Sequence, residues 1–356
     1  MEQAIALRVK QALDEMIFPG CVVGVVTRQG ARFVRAFGKQ SYSTDGRSMQ
    51  SDAVFDVASV TKAIPLATVT LALVERGIIG LDNPVVSFLQ SFDTSPQKRR
   101  VTLRHLLTNT VDLSLPALSS MKYSVPSVIV RNVCAAPLVA SPGSVYRYTN
   151  ATAVLLSLCL MNVTQRSLGS LARTLFFNPL CMWSSTFDVQ KPKIAEKRIV
   201  PTEIDPWRKR EICGEVHDES TYLLQQCYGK NGIGSAGLFS TVPDLLTFVE
   251  MLLNGGILEG HRYFSETMVT AMHTNHFPQA IGSGGLGFAL YPQDYMGKKG
   301  TASMFGKTGF TGCMVVLDRS KERGLVVLSN YHYPHRKTDL GQNRQFRADI
   351  CDIVFS

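Results

Sequence analysis

AVFDVASVTKAIPLATVTLALVERG, residues 53–77, governs how the rest of the chain is read. It opens as a short β-type run, Ala53 to Val57, and passes into a long apolar segment, Ala63 to Val74, closed by Glu75-Arg76-Gly77. That change of pattern predicts a strand running directly into a helix. Ser59 and Lys62 stand at the junction in an S-x-x-K spacing. One helical turn sets the ammonium beside the hydroxyl, and a lysine that loses its proton there can take the proton from serine. A helix N-terminus also offers unpaired backbone N–H groups that stabilise an anion forming nearby. Alone, the spacing equally fits a plain helix N-cap. Pro65 should bend the helix or disturb its first turns.

The S-x-x-K pattern recurs at Ser95-Pro96-Gln97-Lys98 and at Ser119-Ser120-Met121-Lys122. Ser95 lies in a polar, charge-rich stretch beside Pro96, which reads as a solvated loop. Ser119 follows a Pro/Ser-rich run and is not followed by strong apolar periodicity. Only Ser59 combines the spacing with a strand-to-helix junction.

Working outward, the first ~16 residues read as an amphipathic helix ending before Pro19-Gly20. Cys21 to Thr27 and Arg32 to Phe37 read as a hairpin joined by Arg28-Gln29-Gly30. At the other end, Cys313 to Leu317 and Leu325 to Ser329 form a second strand pair around Asp318 to Gly324, followed by a closing helix from about Asp339 to Val354. Between them the sequence is mostly helix and loop, with Ala151 to Met161 and Pro243 to Leu253 the clearest helical runs. The expected fold is α/β of the α+β kind. An antiparallel sheet from both chain ends is flanked by helices and joined to a mostly helical lobe. One catalytic domain spans 1–356, its sheet lobe at about 1–58 and 256–356 and its helical lobe at about 59–255. Ser59 then sits at the seam of the lobes, where pockets form.

The 356 residues, 45% hydrophobic, suffice for substantial cores. The longest apolar stretches fall short of the ~20 residues a membrane span needs. The amino terminus alternates charge with apolar residues and lacks the uninterrupted apolar core of a signal peptide. The sequence as it stands therefore predicts a cytoplasmic protein, or an extracytoplasmic one if a leader precedes it. Eight scattered cysteines, several inside apolar runs, read as small core residues and lean toward a reducing compartment. The net charge of +9 comes without a long basic tract or interleaved aromatics, so no nucleic-acid partner is expected. Neither a Rossmann-type nor a P-loop motif is present, and no cofactor is expected. Two His-x-x-His pairs, His273/His276 and His332/His335, are not H-E-x-x-H and have no obvious carboxylate beside them. They read as solvated loop histidines, so no metal is expected.

Two further motifs bear on chemistry. Tyr148-Thr149-Asn150, before an apolar helix, offers a phenol that can relay a proton beside an ammonium, and an amide that can hold a substrate carbonyl. Lys307-Thr308-Gly309-Phe310 leads into the strand Cys313 to Leu317. Glycine there lets a substrate lie against a strand edge, and Lys307 with Thr308 can bind an anionic group.

In the order S-x-x-K, Y-x-N, K-T-G, the chain resembles the serine hydrolases of the class C β-lactamase and penicillin-binding protein superfamily, whose signature is this triplet. Thr102 to Thr110 is similar to the superfamily's "LLTHTSG" segment, and Gly234 to Thr241 with Asp244 to its "AGLFST…D" segment. Pro201-Thr202-Glu203 and Gly214-Glu215-Val216-His217-Asp218 resemble pieces of a branch that includes carboxypeptidases and esterases. The likeness runs from about Pro19 to Lys337. Asn109 stands where histidine is frequent, and Val111-Asp112 replaces Ser-Gly. Lys307 precedes Thr308 where the branch with "VHD" more often has histidine. No clear glutamine follows Leu113 where class C enzymes place one.

The resemblance implies a β-lactamase/transpeptidase-like fold and an acyl-enzyme on Ser59. Lys62 and Tyr148 then share the base role, with burial and the cation Lys307 lowering the Lys62 pKa. The N–H groups of Ser59 and Phe310 form the oxyanion hole, Asn150 orients the substrate, and Lys307 and Thr308 take its carboxylate. The expected substrate is a small molecule or peptide bearing a carboxylate: a D-Ala-D-Ala peptide end or a β-lactam. A carboxyl ester, or a sensor protein that acylates with little turnover, is the alternative.

Overall fold

Val22, Val23, Val25 and Val26 make one strand apolar on both faces, so it must be covered on both sides. The computed structural model describes residues 1–191, 194–278 and 281–356. Its strands include β1 (Gly20–Thr27), β2 (Arg32–Gly38), β3 (Phe55–Asp56), β4 (Phe239–Ser240), β5 (Ala289–Leu290), β6 (Met304–Thr308), β7 (Met314–Asp318) and β8 (Arg323–Ser329). Six of these form one sheet in the order β2-β1-β8-β7-β6-β5, every neighbouring pair antiparallel. Both chain ends meet where Cys21 pairs with Ser329 and Val25 with Leu325.

Alternate side chains of these strands enter different cores. Val23, Val25, Met314 and Val327 face Ile5 and Val9 of α1 (Glu2–Asp14) and Phe346 and Ile350 of the closing helix, Gly341–Val354. Val22, Val26, Val315 and Val326 face the larger core, which holds the helical part of the chain. In that part are α2 (Thr68–Glu75), α3 (Leu103–Thr108), α4 (Pro126–Ala135), α5 (Asn150–Thr164), α6 (Glu219–Tyr228) and α7 (Val242–Leu253), and the closing helix is α8. Glycine in the strands lets α7 come close. A Cβ on Gly24 would lie 2.3 Å from Val242 Cγ1, and one on Gly324 2.1 Å from Val249 Cγ1. Residues 151–160 of α5 are all buried, which explains why that helix has no polar face. Among the described residues no helix is long and apolar enough to cross a membrane.

Three sequence readings are corrected. The K-T-G segment is not merely a lead-in to a later strand, because Lys307 and Thr308 end a strand of their own, β6. Its run Met-Phe-Gly-Lys-Thr lacks the alternation that marks a half-buried strand. Lys98 is fully buried rather than solvated. Thr94 Oγ1 at 2.8 Å and the Cys134 carbonyl at 2.5 Å accept from its ammonium, and the Phe92 ring centroid lies 4.5 Å away. His332 is also fully buried, and His273 and His276 are half-buried, the former stacked on Phe305. Only His335 is an exposed histidine of those pairs.

Phe176 packs on Phe248 of α7 and on Phe264, with ring centroids 5.4 and 5.3 Å apart. Phe248→Ala should lower unfolding stability by about 3–5 kcal/mol. Urea unfolding should show an earlier midpoint with an unchanged slope.

Candidate active site

The chain leaves β3 through a tight turn that aims Ser59. Ala58 adopts a left-handed backbone, φ +46°, a conformation costly for a residue with a Cβ. Buried Asp56 holds it there. Its Oδ1 accepts from Ala58 N at 2.8 Å and its Oδ2 from His217 N at 2.7 Å. Thr61 Oγ1 donates to the Ala58 carbonyl at 2.6 Å and accepts from Leu238 N at 3.1 Å, tying the turn to the segment before β4. Pro65 has the expected effect on the helix. Ile64 leaves helical geometry (φ −119°, ψ 109°), the turn over Lys62–Ala67 is wide, and regular α2 begins only at Thr68.

Within this turn Lys62 Nζ donates to Ser59 Oγ at 2.9 Å and to the Ser235 carbonyl at 2.6 Å. Lys62 is only 6% exposed. Burial pushes its ammonium down to about 8, with the Asp218 charge acting in the opposite direction. Burial also lowers the Lys307 ammonium, and Lys62 adds to that shift. Of the two effects expected to lower Lys62, burial and the Lys307 cation, burial is the leading cause. Both ammonium groups lie by one aromatic ring, Lys62 Nζ 5.3 Å and Lys307 Nζ 4.6 Å from the Tyr148 centroid.

The K-T-G strand approaches the nucleophile turn so closely that only glycine fits. A Cβ on Gly309 would lie 2.2 Å from the Val57 carbonyl oxygen. Thr311 Oγ1 reinforces the contact by donating to the Asp56 carbonyl at 2.7 Å. Buried Arg347 of α8 donates through Nη2 to the carbonyls of Gly309 and Cys313, both at 2.9 Å. Burial lowers this guanidinium to about 10. The Phe310 ring, 41% exposed, stacks on buried His332 with centroids 4.0 Å apart.

One cavity of about 740 Å³ is lined by Ser59, Tyr148, Asn150, Lys307, Thr308, Gly309 and Phe310, with Lys62 bonded behind Ser59. All eight residues singled out in the sequence therefore meet at one place. Leu113, Leu115, Pro116 and Leu118 form its apolar lip. Ser119, from a rival S-x-x-K, lies exposed on that lip with no comparable lysine contact among the described residues.

A model of the beta-lactamase family matches residues 5–348. The chain belongs to the beta-lactamase family. Its fold is shared at full coverage by EstCE1, described as a hydrolase with promiscuous acyltransferase activity: 21% identity, 99% of each chain covered and a TM-score of 0.76. The class C beta-lactamase of Rhodobacter sphaeroides is similar at 22% identity, 98% of each chain covered and a TM-score of 0.74. A Salmonella enteritidis PT4 protein, whose name marks it provisionally as a D-alanyl-D-alanine carboxypeptidase, is 24% identical over 79% of this chain and 70% of its own length.

Sequence reasoning about this beta-lactamase-family chain missed a charged cluster in the cavity wall, to which His217, Glu219 and Arg336 contribute. Arg336 binds both oxygens of Glu203, at 2.7 and 3.1 Å, and Glu219 at 2.8 Å, while His217 Nε2 lies 3.1 Å from Glu203. Against its own burial, the His217 and Arg336 contacts lower the Glu203 carboxyl to about 2. The segments Pro201–Glu203 and Gly214–Asp218 had stood out only by resemblance, and this cluster gives them a physical task. Asp56 and Arg347 carried no sequence signal, since each acts on backbone groups brought near by folding.

The Gly309 contact yields a direct test. Gly309→Ala should displace β6 from Ser59 and slow Ser59 labelling by a fluorophosphonate about 100-fold, while circular dichroism stays unchanged.

Proposed function

We propose that this hydrolase, a single catalytic domain, cleaves acyl compounds through a covalent ester on Ser59. The observation that carries the reading is the 2.9 Å contact between a buried lysine and a serine hydroxyl at the floor of a cavity. Neutral Lys62 takes the Ser59 proton as Oγ bonds to the substrate carbonyl carbon. The N–H groups of Ser59 and Phe310 face the developing oxyanion, each worth about 3 kcal/mol. The bond to the leaving group then breaks as the proton moves from Lys62 through the Tyr148 hydroxyl to the leaving group, which returns Lys62 to its neutral form. Water, activated at Tyr148, adds to the ester carbonyl, releases the acid and returns the proton to Ser59.

Lys307 and Thr308 supply a cation and a hydroxyl for a substrate carboxylate, with Asn150 orienting the acyl part. That favours an amide of the D-Ala-D-Ala or β-lactam kind. The Salmonella relative's provisional carboxypeptidase name agrees with this reading. The apolar lip of Leu113, Leu115, Pro116 and Leu118 favours a second reading, a carboxyl ester, in keeping with the EstCE1 likeness. A D-Ala-D-Ala peptide, nitrocefin and p-nitrophenyl butyrate, assayed on one preparation, separate these readings. Multiple turnovers exclude a one-time acylated sensor, for which intact-mass spectra would show a stable adduct without product.

Ser59→Ala should lose at least ~1,000-fold in kcat while remaining folded, and wild-type turnover in that variant would overturn the assignment. Activity should rise with pH, with its acidic limb near the lysine value of about 8. The same shift makes the folded chain bind fewer protons than the unfolded one between about 8 and 10.5. The Lys62 contribution to stability therefore improves as pH rises through that window and is least favourable below it.

A further inference from the structure

Asp218 precedes α6 and does more than cap it. Its Oδ1 accepts from Thr221 N at 2.7 Å, which is the cap, and also from Thr221 Oγ1 at 2.7 Å and Ser220 Oγ at 2.6 Å. Its Oδ2 accepts from Asn150 Nδ2 at 2.9 Å, an arm that capping does not use. Because a carboxylate only accepts, the Asn150 amide must turn its nitrogen toward Asp218, which leaves its oxygen and one N–H hydrogen uncommitted. On the other side Thr221 Oγ1 meets Ser235 Oγ at 2.7 Å, and the carbonyl of that same Ser235 accepts from Lys62 Nζ at 2.6 Å.

We propose that Asp218 is a positioning residue for acylation at Ser59, orienting the Asn150 amide with one oxygen and, through Thr221 and Ser235, seating Lys62 against Ser59 with the other. This rests on the reading of Ser59 as the nucleophile. The electrostatics agree with the geometry. Burial acts to raise the Asp218 carboxyl, yet the Ser220 and Thr221 hydrogen bonds, with Lys62, hold it below its ordinary value. In return its charge favours the Lys62 ammonium. Lys62 is otherwise faced by Ser59, the Ser235 carbonyl, the Tyr148 ring and Lys307, whereas Asp218 is faced by Asn150, Ser220, Thr221 and the buried Asp56. The titratable groups flanking Asp218 are engaged elsewhere: His217 is set against Glu203, and Glu219 against Arg336.

The test is the pH dependence of Ser59 labelling by a fluorophosphonate, in the whole chain, for wild type, Asp218→Asn and Ser265→Ala. Ser265 caps the remote helix Glu266–Met272 and controls for the loss of a cap. In Asp218→Asn the acidic limb should move down by about half a pH unit to one unit, because the charge favouring the ammonium is gone. Its plateau should fall at least ~10-fold, because Asn150 and Lys62 lose their seat. Ser265→Ala should move neither. An unmoved limb with a plateau within about twofold of wild type in Asp218→Asn, or an equal shift in Ser265→Ala, overturns the proposal alone. Equal labelling of wild type and Ser59→Ala overturns the nucleophile reading and this inference with it. Should Asp218→Asn not fold, Thr221→Val decides, since it keeps the backbone cap and severs the Ser235 link. A plateau lowered about 5-fold supports the link, and an unchanged plateau overturns it.

Discussion

Most of the site depends on keeping one ammonium buried. Lys62 is surrendered by water at a cost, and the chain meets that cost with two fixed oxygen acceptors, Ser59 Oγ and the Ser235 carbonyl. A lysine lowered in this way to about 8 is poised between its charged and neutral forms close to that pH, which is the property a built-in base requires. The neighbouring groups then follow from it. Ser59 must be within one turn, Ser235 must arrive from the segment before β4, and a second cation, Lys307, must be tolerated nearby.

The second cation is met by an aromatic ring, and an anion stands toward the first. Tyr148 places its ring by both ammonium groups. Asp218 sets its charge toward Lys62, and the Ser220 and Thr221 hydrogen bonds, with Lys62, hold its carboxyl below its ordinary value despite burial. Asp56, also buried, bonds backbone N–H groups of Ala58 and His217 and so works on chain geometry. Arg347 does the same from the opposite sign, tying the carbonyls of Gly309 and Cys313 to α8. Asp56 and Arg347 thus hold the backbone around the nucleophile.

The two ends of the sheet and the helices at 151–161 and 243–253 were legible because apolar periodicity is a local property. β5 and β6 were not, since a two-residue strand and a Gly-Lys-Thr strand end carry no periodic signal. Lys98 misled for a related reason. A lysine in a charge-rich stretch reads as solvated unless the carbonyl of Cys134, 36 residues away, is known to cover it. His332 is a similar case, its ring stacked on Phe310 and met edge-on by Tyr331 in the fold. At the site, Ser59, Lys62, Tyr148, Asn150 and Lys307 could be named from the sequence because each belongs to a short motif with its own chemistry. Asp218, Asp56 and Arg347 could not be given tasks, because theirs are to hold groups distant in sequence.

By itself the sequence determined the two strand pairs, the junction carrying Ser59 and Lys62, and the chemical types that could partner them, since spacing within one turn or one strand is a property of neighbouring residues. Only the tertiary structure decided which cation is dehydrated, which carboxylate stays charged and which way the Asn150 amide points. Those depend on burial and on hydrogen bonds between segments far apart in the chain, such as Asn150 to Asp218 and Lys62 to Ser235. Folding alone brings such segments together.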